Sequence, residues 1–298
     1  MKRTVIFSIL FLSLHFCYSQ TLNHLERDEN GHEMLLGEIN KTGLTQNPFN
    51  TWFSENYEDY LVNKSIVKRL RDSLKQYTIK LFLGTWCGDS KREVPRFYKV
   101  LETAKFPEKQ LQVIAVDRTE DAYKQSPNHE EAGLNIHRVP TFIFYKNGNE
   151  VNRIVESPVE TLERDILKIV TDNRYTPNYM AANYMNYLLS SKPIESLKTE
   201  ESILVPRLAE FVKGSRELNT LGYMLLRSNE LEKALYIFDL NTQIFPYKYD
   251  VYDSLGEAFY VTKNYSEALK NYYKVLSIKP DDKNAMAMIE KIKIEMVN

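Results

Sequence analysis

Ile79-Lys80-Leu81-Phe82-Leu83-Gly84-Thr85-Trp86-Cys87-Gly88-Asp89-Ser90 reads as a short apolar run, a glycine stop and a cysteine at the start of a helix. The run Ile79–Leu83 has strand length and no helical period. Residues 89–105 then repeat their apolar side chains at helical spacing, and Leu111-Gln112-Val113-Ile114-Ala115-Val116-Asp117 is a second buried strand. Two such strands joined through a helix must run parallel. Residues 120–134 read as a helix or a long loop with helical parts. Thr141–Tyr145 is a third strand, Lys146-Asn147-Gly148-Asn149 a hairpin turn of the Asn-Gly kind, and Val151–Val155 a fourth strand pairing back. Pro158 is placed to open a helix running to about Val170, since proline is tolerated in a first turn. The order β-α-β-α-β-β-α predicts an α/β sheet with helices on both faces.

Upstream, Trp52, Phe53, Tyr57, Tyr60, Leu61, Ile66, Leu70 and Leu74 recur at three- and four-residue spacing, so the pattern is helical from Phe49 to about Tyr77. Residues 20–48, with Gly31, Gly37, Gly43 and Pro48, read as a polar, irregular leader that packs on the next domain or stays mobile. Residues 1–19 have the charged, apolar, small-residue order of a secretory signal peptide: Lys2 and Arg3, the run Thr4–Leu14, then Cys17-Tyr18-Ser19. The apolar run is short for a membrane anchor, and no later stretch is long enough to span a bilayer. The expectation is an exported protein, periplasmic or extracellular, with no membrane span after cleavage.

Of the two cysteines, Cys17 lies in that segment, leaving Cys87 alone in the mature chain. A single thiol excludes an internal disulfide and leaves a free reactive thiol or an intermolecular partner. The formal charge of −1, which becomes −3 without Lys2 and Arg3, and the absence of a basic block argue against nucleic acid. Five histidines and one mature cysteine show no zinc spacing, so no metal and no other cofactor is expected.

After Asp172 the pattern is only helical. Tyr175-Thr176-Pro177 marks a boundary, and helices are predicted over 178–190 and roughly 194–213. From Ser215 a repeat emerges: Leu221 recurs as Leu255, Gly222 as Gly256, Ala234 as Ala268, Phe238 as Tyr272 and Pro246 as Pro280, each offset by 34 residues. That is the period of the tetratricopeptide repeat (TPR), whose pattern these residues fit. The organisation read from the sequence is therefore 1–19 signal, 20–48 leader, 49–172 α/β domain with an N-terminal helical extension, 176–214 helical connector, 215–281 two TPR repeats and 282–298 a capping helix. The repeat module is expected to fold separately and to dock an unknown protein partner, with Asp250, Asp253 and Glu257 facing its groove.

Residues 75–172 resemble the thioredoxin family. Trp86 and Cys87 match its tryptophan and nucleophile, Pro95 its helix-kinking proline, Pro140 the cis-proline that faces the thiol, and Lys146-Asn147-Gly148 the hairpin after it. The resemblance implies a thioredoxin-like α/β fold, a cis Val139–Pro140 bond, and a substrate surface made by Gly88, Arg138, Val139 and Thr141. Three departures stand out. Ser90 occupies the place of the second cysteine, Leu81 that of the buried acid, and Ala115 lies near that of a lysine. Chemistry would then be of monothiol type, acting on a disulfide- or thiol-containing protein or a small thiol.

The physics of the motif is that helix-start N–H groups and the helix dipole favour a thiolate. Ser90 is placed to donate a hydrogen bond to the sulfur, Trp86 to shield it, and Lys91 and Arg92 to add positive charge opposed by Asp89. His137 and Arg138 read more readily as loop or solvent-facing residues than as a ligand and a substrate clamp. Two functions follow: thiol–disulfide exchange through Cys87, or a non-catalytic binding and assembly protein built on a redox-inactive thioredoxin fold plus TPR.

Overall fold

The computed structural model describes residues 22–119 and 121–297; the signal-type segment at 1–19 lies outside them. Its first half is a six-stranded sheet in the order β1-β2-β4-β3-β5-β6. Strands β1 (His24–Arg27) and β2 (Glu33–Ile39) form a hairpin. Helices α1 (Lys41–Leu44), α2 (Asn50–Asp59) and α3 (Lys64–Leu74) follow. Then come β3 (Thr78–Leu83), α4 (Gly88–Thr103), β4 (Leu111–Ala115), β5 (Thr141–Lys146), β6 (Asn149–Val155) and α5 (Leu162–Val170). β3 runs parallel to β4 and antiparallel to β5, so the strand that leads into Cys87 is hydrogen-bonded on both edges.

Strand alternation sorts the sheet into two faces. Ile79, Leu81, Leu83, Val113, Ala115, Phe142 and Phe144 join α2 to α5 in one core, with Leu70, Phe97 and Ile166 fully enclosed. Phe82, Ile114 and Ile143 point the other way, into a smaller cluster with Val116, Ile136 and Val139. The Asn147-Gly148 turn has φ of 53° and 81°, the left-handed pair that a two-residue hairpin of this twist requires and that asparagine and glycine supply at least cost.

Four sequence expectations need correction. The leader is not irregular: Met34, Leu35, Leu36 and Ile39 are buried, and β2 pairs antiparallel with β4, extending the sheet beyond the strands predicted. The extension is helical as read, but divided into two helices, because Asn63 caps α3 afresh by accepting the amide of Ile66. Pro158 does not open α5; Thr161 does, its hydroxyl accepting the Arg164 amide, while the preceding turn is tied by Val159 and Glu160 N–H groups to the Asp165 carboxylate. Between β4 and β5 the described residues form turns and no helix. Left-handed Lys124, His129, Gly133 and Asn135 break any helical run there, so helices α2 to α5 gather on one face and this long loop covers the other.

The second half is all helical. α6 (Met180–Ser191), α7 (Ile194–Thr199) and α8 (Glu201–Phe211) precede α9 (Arg216–Arg227), α10 (Leu231–Ile244), α11 (Tyr249–Val261), α12 (Tyr265–Ile278) and α13 (Lys283–Val297). The 34-residue offset has a physical counterpart. A Cβ on Gly222 would fall 2.6 Å from the Phe238 ring, and one on Gly256 3.2 Å from the Tyr272 ring, so each glycine lets the next helix's aromatic lie flush on α9 or α11. The helical region thus fits a repeat arrangement. Among the described residues no helix is long and apolar enough to cross a membrane.

The two halves are in contact. Val155 at the end of β6 belongs to the same buried cluster as Tyr179, Met185 and Leu221. Tyr179 donates its hydroxyl to Glu156, Asn178 its amide to the carbonyl of Ser157, and Asn135 its amide to Asn183. The expectation of a separate module has its weak point in the helices of 178–213, which lack the repeat signature, and these helices share this surface with the α/β half.

Candidate functional site

Cys87 is the N-cap residue of α4, with φ −85° and ψ 128°, and its carbonyl accepts the first helical amide, that of Lys91. β3 and the tight turn closed by Cys87 N–H to Gly84 C=O deliver it there. The thiol is half-buried and faces the loop before β5, with Sγ 3.3 Å from the carbonyl oxygen of Val139. The Val139–Pro140 peptide is cis. Trp86 packs beside the thiol; its indole N–H donates to the Val116 carbonyl at 2.9 Å, fixing the ring over the end of β4. Gly88 is exposed at the first helical position, while Val139, Pro140 and Thr141 are buried. The Thr141 hydroxyl donates to the Arg138 carbonyl at 2.6 Å, which stiffens the loop facing the sulfur.

Several roles differ from those read in the sequence. Ser90 is fully buried, and its Oγ accepts the Gly84 amide at 3.3 Å; it braces the strand-to-helix turn and makes no hydrogen bond to Cys87. Arg92 has its charge engaged by Asp89 at 2.8 Å and Glu93 at 2.6 Å. Arg138 does not point to water: it pairs with Glu156 at 3.2 Å, donates to the Thr220 hydroxyl of α9 at 2.6 Å and lies over the Tyr179 ring. His137 is likewise no surface histidine. It is 1% exposed, its Nδ1–H donates to the Asn135 carbonyl at 3.1 Å, and its ring meets Tyr179 edge-on at 5.5 Å.

Two residues escaped sequence reading. Tyr123 stacks at 5.5 Å on Trp86, and Lys124 donates at 2.6 Å to the carbonyl of His137, two residues before Val139. Lys124 is thereby tied to the loop that faces Cys87. Burial, followed by the positive fields of Arg138 and Arg227, lowers its pKa to about 7, with Cys87 acting in the opposite sense. No local pattern marks Lys124, because a loop without period carries it. Leu81 and Ala115 are buried apolar residues, and Lys124 is an ionisable group whose charge interacts with Cys87. Among the described residues no cluster of three or more His, Cys, Asp or Glu is arranged to hold a metal ion.

His137 sets an acid limit on the fold. Burial lowers its pKa from 6.5 to about 3, and its Nε2 is enclosed without a partner. Between those values the unfolded chain binds a proton that the folded chain does not, so stability falls as pH drops below 6.5. The expected slope is on the order of 1.4 kcal/mol per pH unit from this one group. His137→Leu should flatten the dependence of urea midpoints on pH between 6 and 4; an unchanged slope would assign the acid sensitivity elsewhere.

Comparison with known proteins agrees with this geometry. The thioredoxin family pattern, described as Thioredoxin, matches residues 59–168. A thioredoxin of Malassezia sympodialis is 32% identical over 85 residues, covering 28% of this chain and 73% of that protein. A thioredoxin of Aspergillus fumigatus is 30% identical over 83 residues, covering 28% and 68%. A thioredoxin-like protein of Acanthamoeba polyphaga mimivirus is 28% identical over 116 residues, covering 37% and 75%.

Proposed function

Since this chain belongs to the thioredoxin family, we propose that it carries out thiol–disulfide exchange as an exported monothiol protein, with Cys87 as nucleophile. The observation that carries the reading is the half-buried thiol at the start of α4, facing the cis Val139–Pro140 loop. In the reaction the Cys87 thiolate attacks one sulfur of a disulfide; a new S–S bond forms, the old one breaks, and the displaced sulfur leaves as a thiolate. Cys87 is the only cysteine after residue 19, so a second, external thiol must release the mixed disulfide. Trp86 and the loop 138–141 shape the approach, Gly88 leaves it open, and Ser90 holds the turn rather than the sulfur.

Export rests on the order of residues 1–19, and a periplasmic or extracellular site follows from it. The helical module is read as TPR-type from its 34-residue offsets, with partner docking as its role. A second reading, a binding and assembly protein without catalysis, draws on the loop opposite Cys87: His137 and Arg138 are engaged by Tyr179 and Thr220 of the helical half, which ties the substrate side to a fixed partner surface.

Exchange is measured by the rate at which a small external thiol reduces a peptide mixed disulfide with and without the protein. Acceleration that vanishes in Cys87→Ser is expected. Equal rates for wild type and Cys87→Ser would leave the binding reading in its place.

A further inference from the structure

Between the loop that carries Tyr123 and Lys124 and the helices α6 and α9 lies a cavity of about 590 Å³. This is the size of a small-molecule site. Half of its wall comes from outside the thioredoxin-like domain, so the fold of that domain alone does not explain it. Its chemistry is one-sided. Glu230 is taken up by Lys233, and Glu131 by the hydroxyl and amide of Ser126. Lys124 and Arg227 have no carboxylate partner among the described residues. Arg227 rests 4.4 Å over Tyr123, whose ring stacks in turn on Trp86, so its guanidinium is held in place by aromatic faces rather than by an anion. Lys124 uses one of its three protons on the His137 carbonyl. The Thr220 hydroxyl accepts from Arg138, which leaves its own proton free to donate.

We infer that this cavity is a binding site for a small organic oxyanion, a carboxylate or phosphate, gripped by Lys124, Arg227 and Thr220. Arg227 and a protonated Lys124 both lie against the Tyr123 ring without a carboxylate partner among the described residues and repel each other; an anion between them removes that repulsion. Arg227 adds to the depression of the Lys124 pKa that burial and then Arg138 cause. An arginine fork and a lysine point charge suit either oxyanion. The cavity is lined by Tyr123 and Lys124 but not by Cys87, so binding here is separate from the exchange reaction.

The test uses the full chain, titrated calorimetrically at physiological salt with glutarate, with phenyl phosphate and with neutral glutaramide. One saturable site for at least one of the two anions is expected, and none for glutaramide; the stronger arm identifies carboxylate or phosphate as the group preferred. Arg227→Met, an exposed position that leaves the fold intact, and Lys124→Met should each weaken that binding about tenfold or more, the loss of a charge-assisted pair. Cys87→Ser should bind as wild type. Binding unchanged in Arg227→Met and Lys124→Met, or no saturable binding of either anion, would overturn the inference.

Discussion

Phe142→Ala is expected to lower the free energy of unfolding by about 3–5 kcal/mol, the range for deleting an enclosed aromatic ring. Phe142 is fully buried on β5, where it stands in register with Leu81 of β3. Its ring centre lies 4.4 Å from that of Phe97, on the helix that begins at Cys87. The residue thus joins three things: the central strand pair, the core face of α4 and, through α4, the position of the thiol. A cavity here has little prospect of collapsing, since β5 is paired on both edges and Phe97 is fixed by its own helix. Urea unfolding followed by circular dichroism measures the effect. A loss below about 1 kcal/mol would mean that the site closes over the missing ring, contrary to the close packing described. Phe144, two residues on and on the same face, should behave alike.

The largest expected gain in activity comes from restoring a second thiol. Ser90→Cys should raise dithiothreitol-driven reduction of insulin by roughly tenfold or more, because a second thiol inside the chain can release the mixed disulfide that otherwise waits for an external one. Ser90 sits one helical turn after Cys87, fully buried, and its hydroxyl bonds the Gly84 amide rather than the sulfur. A cysteine of nearly the same volume fits there and costs one buried hydrogen bond, about 1 kcal/mol. A variant no faster than wild type would show that release is not the slow step, or that the buried side chain at position 90 does not reach the Cys87 sulfur. Cys87→Ser/Ser90→Cys is the control and should be inactive.

Local pattern carried much of this protein. Short apolar runs located β3, β4, β5 and β6, with Gly84 and Gly148 marking two of the turns, and the junction of β3 with a helical segment located Cys87. Short-range rules suffice there, because a buried strand must be apolar and a two-residue hairpin needs residues that tolerate positive φ. The same rules failed where the deciding partner is remote in sequence. β1 and β2 looked like a polar leader, since Glu33, Glu38 and Gly37 interrupt the alternation and the strands are defined by pairing, β1 with β2 and β2 with β4. Residues 120–134 looked like a helix or a loop with helical parts; the left-handed turns there are supported by Arg153 of β6, which donates to the Leu134 carbonyl at 2.7 Å, and by Ser126 bonding Glu130.

What the amino-acid sequence determined by itself was the strand–helix junction bearing one thiol, the residues around it, and a 34-residue helical period, all of them consequences of neighbours within a few turns of chain. Tertiary structure alone decided which charges surround that thiol. His137 and Arg138 read as solvent-facing because nothing near them in sequence covers them; Tyr179 and Thr220 do so, 42 and 82 residues later. The Lys124 pKa is depressed by burial first, then by the fields of Arg138 and of Arg227, the latter on α9. Burial and electrostatic fields are sums over neighbours in space, and in this chain those neighbours come from both halves.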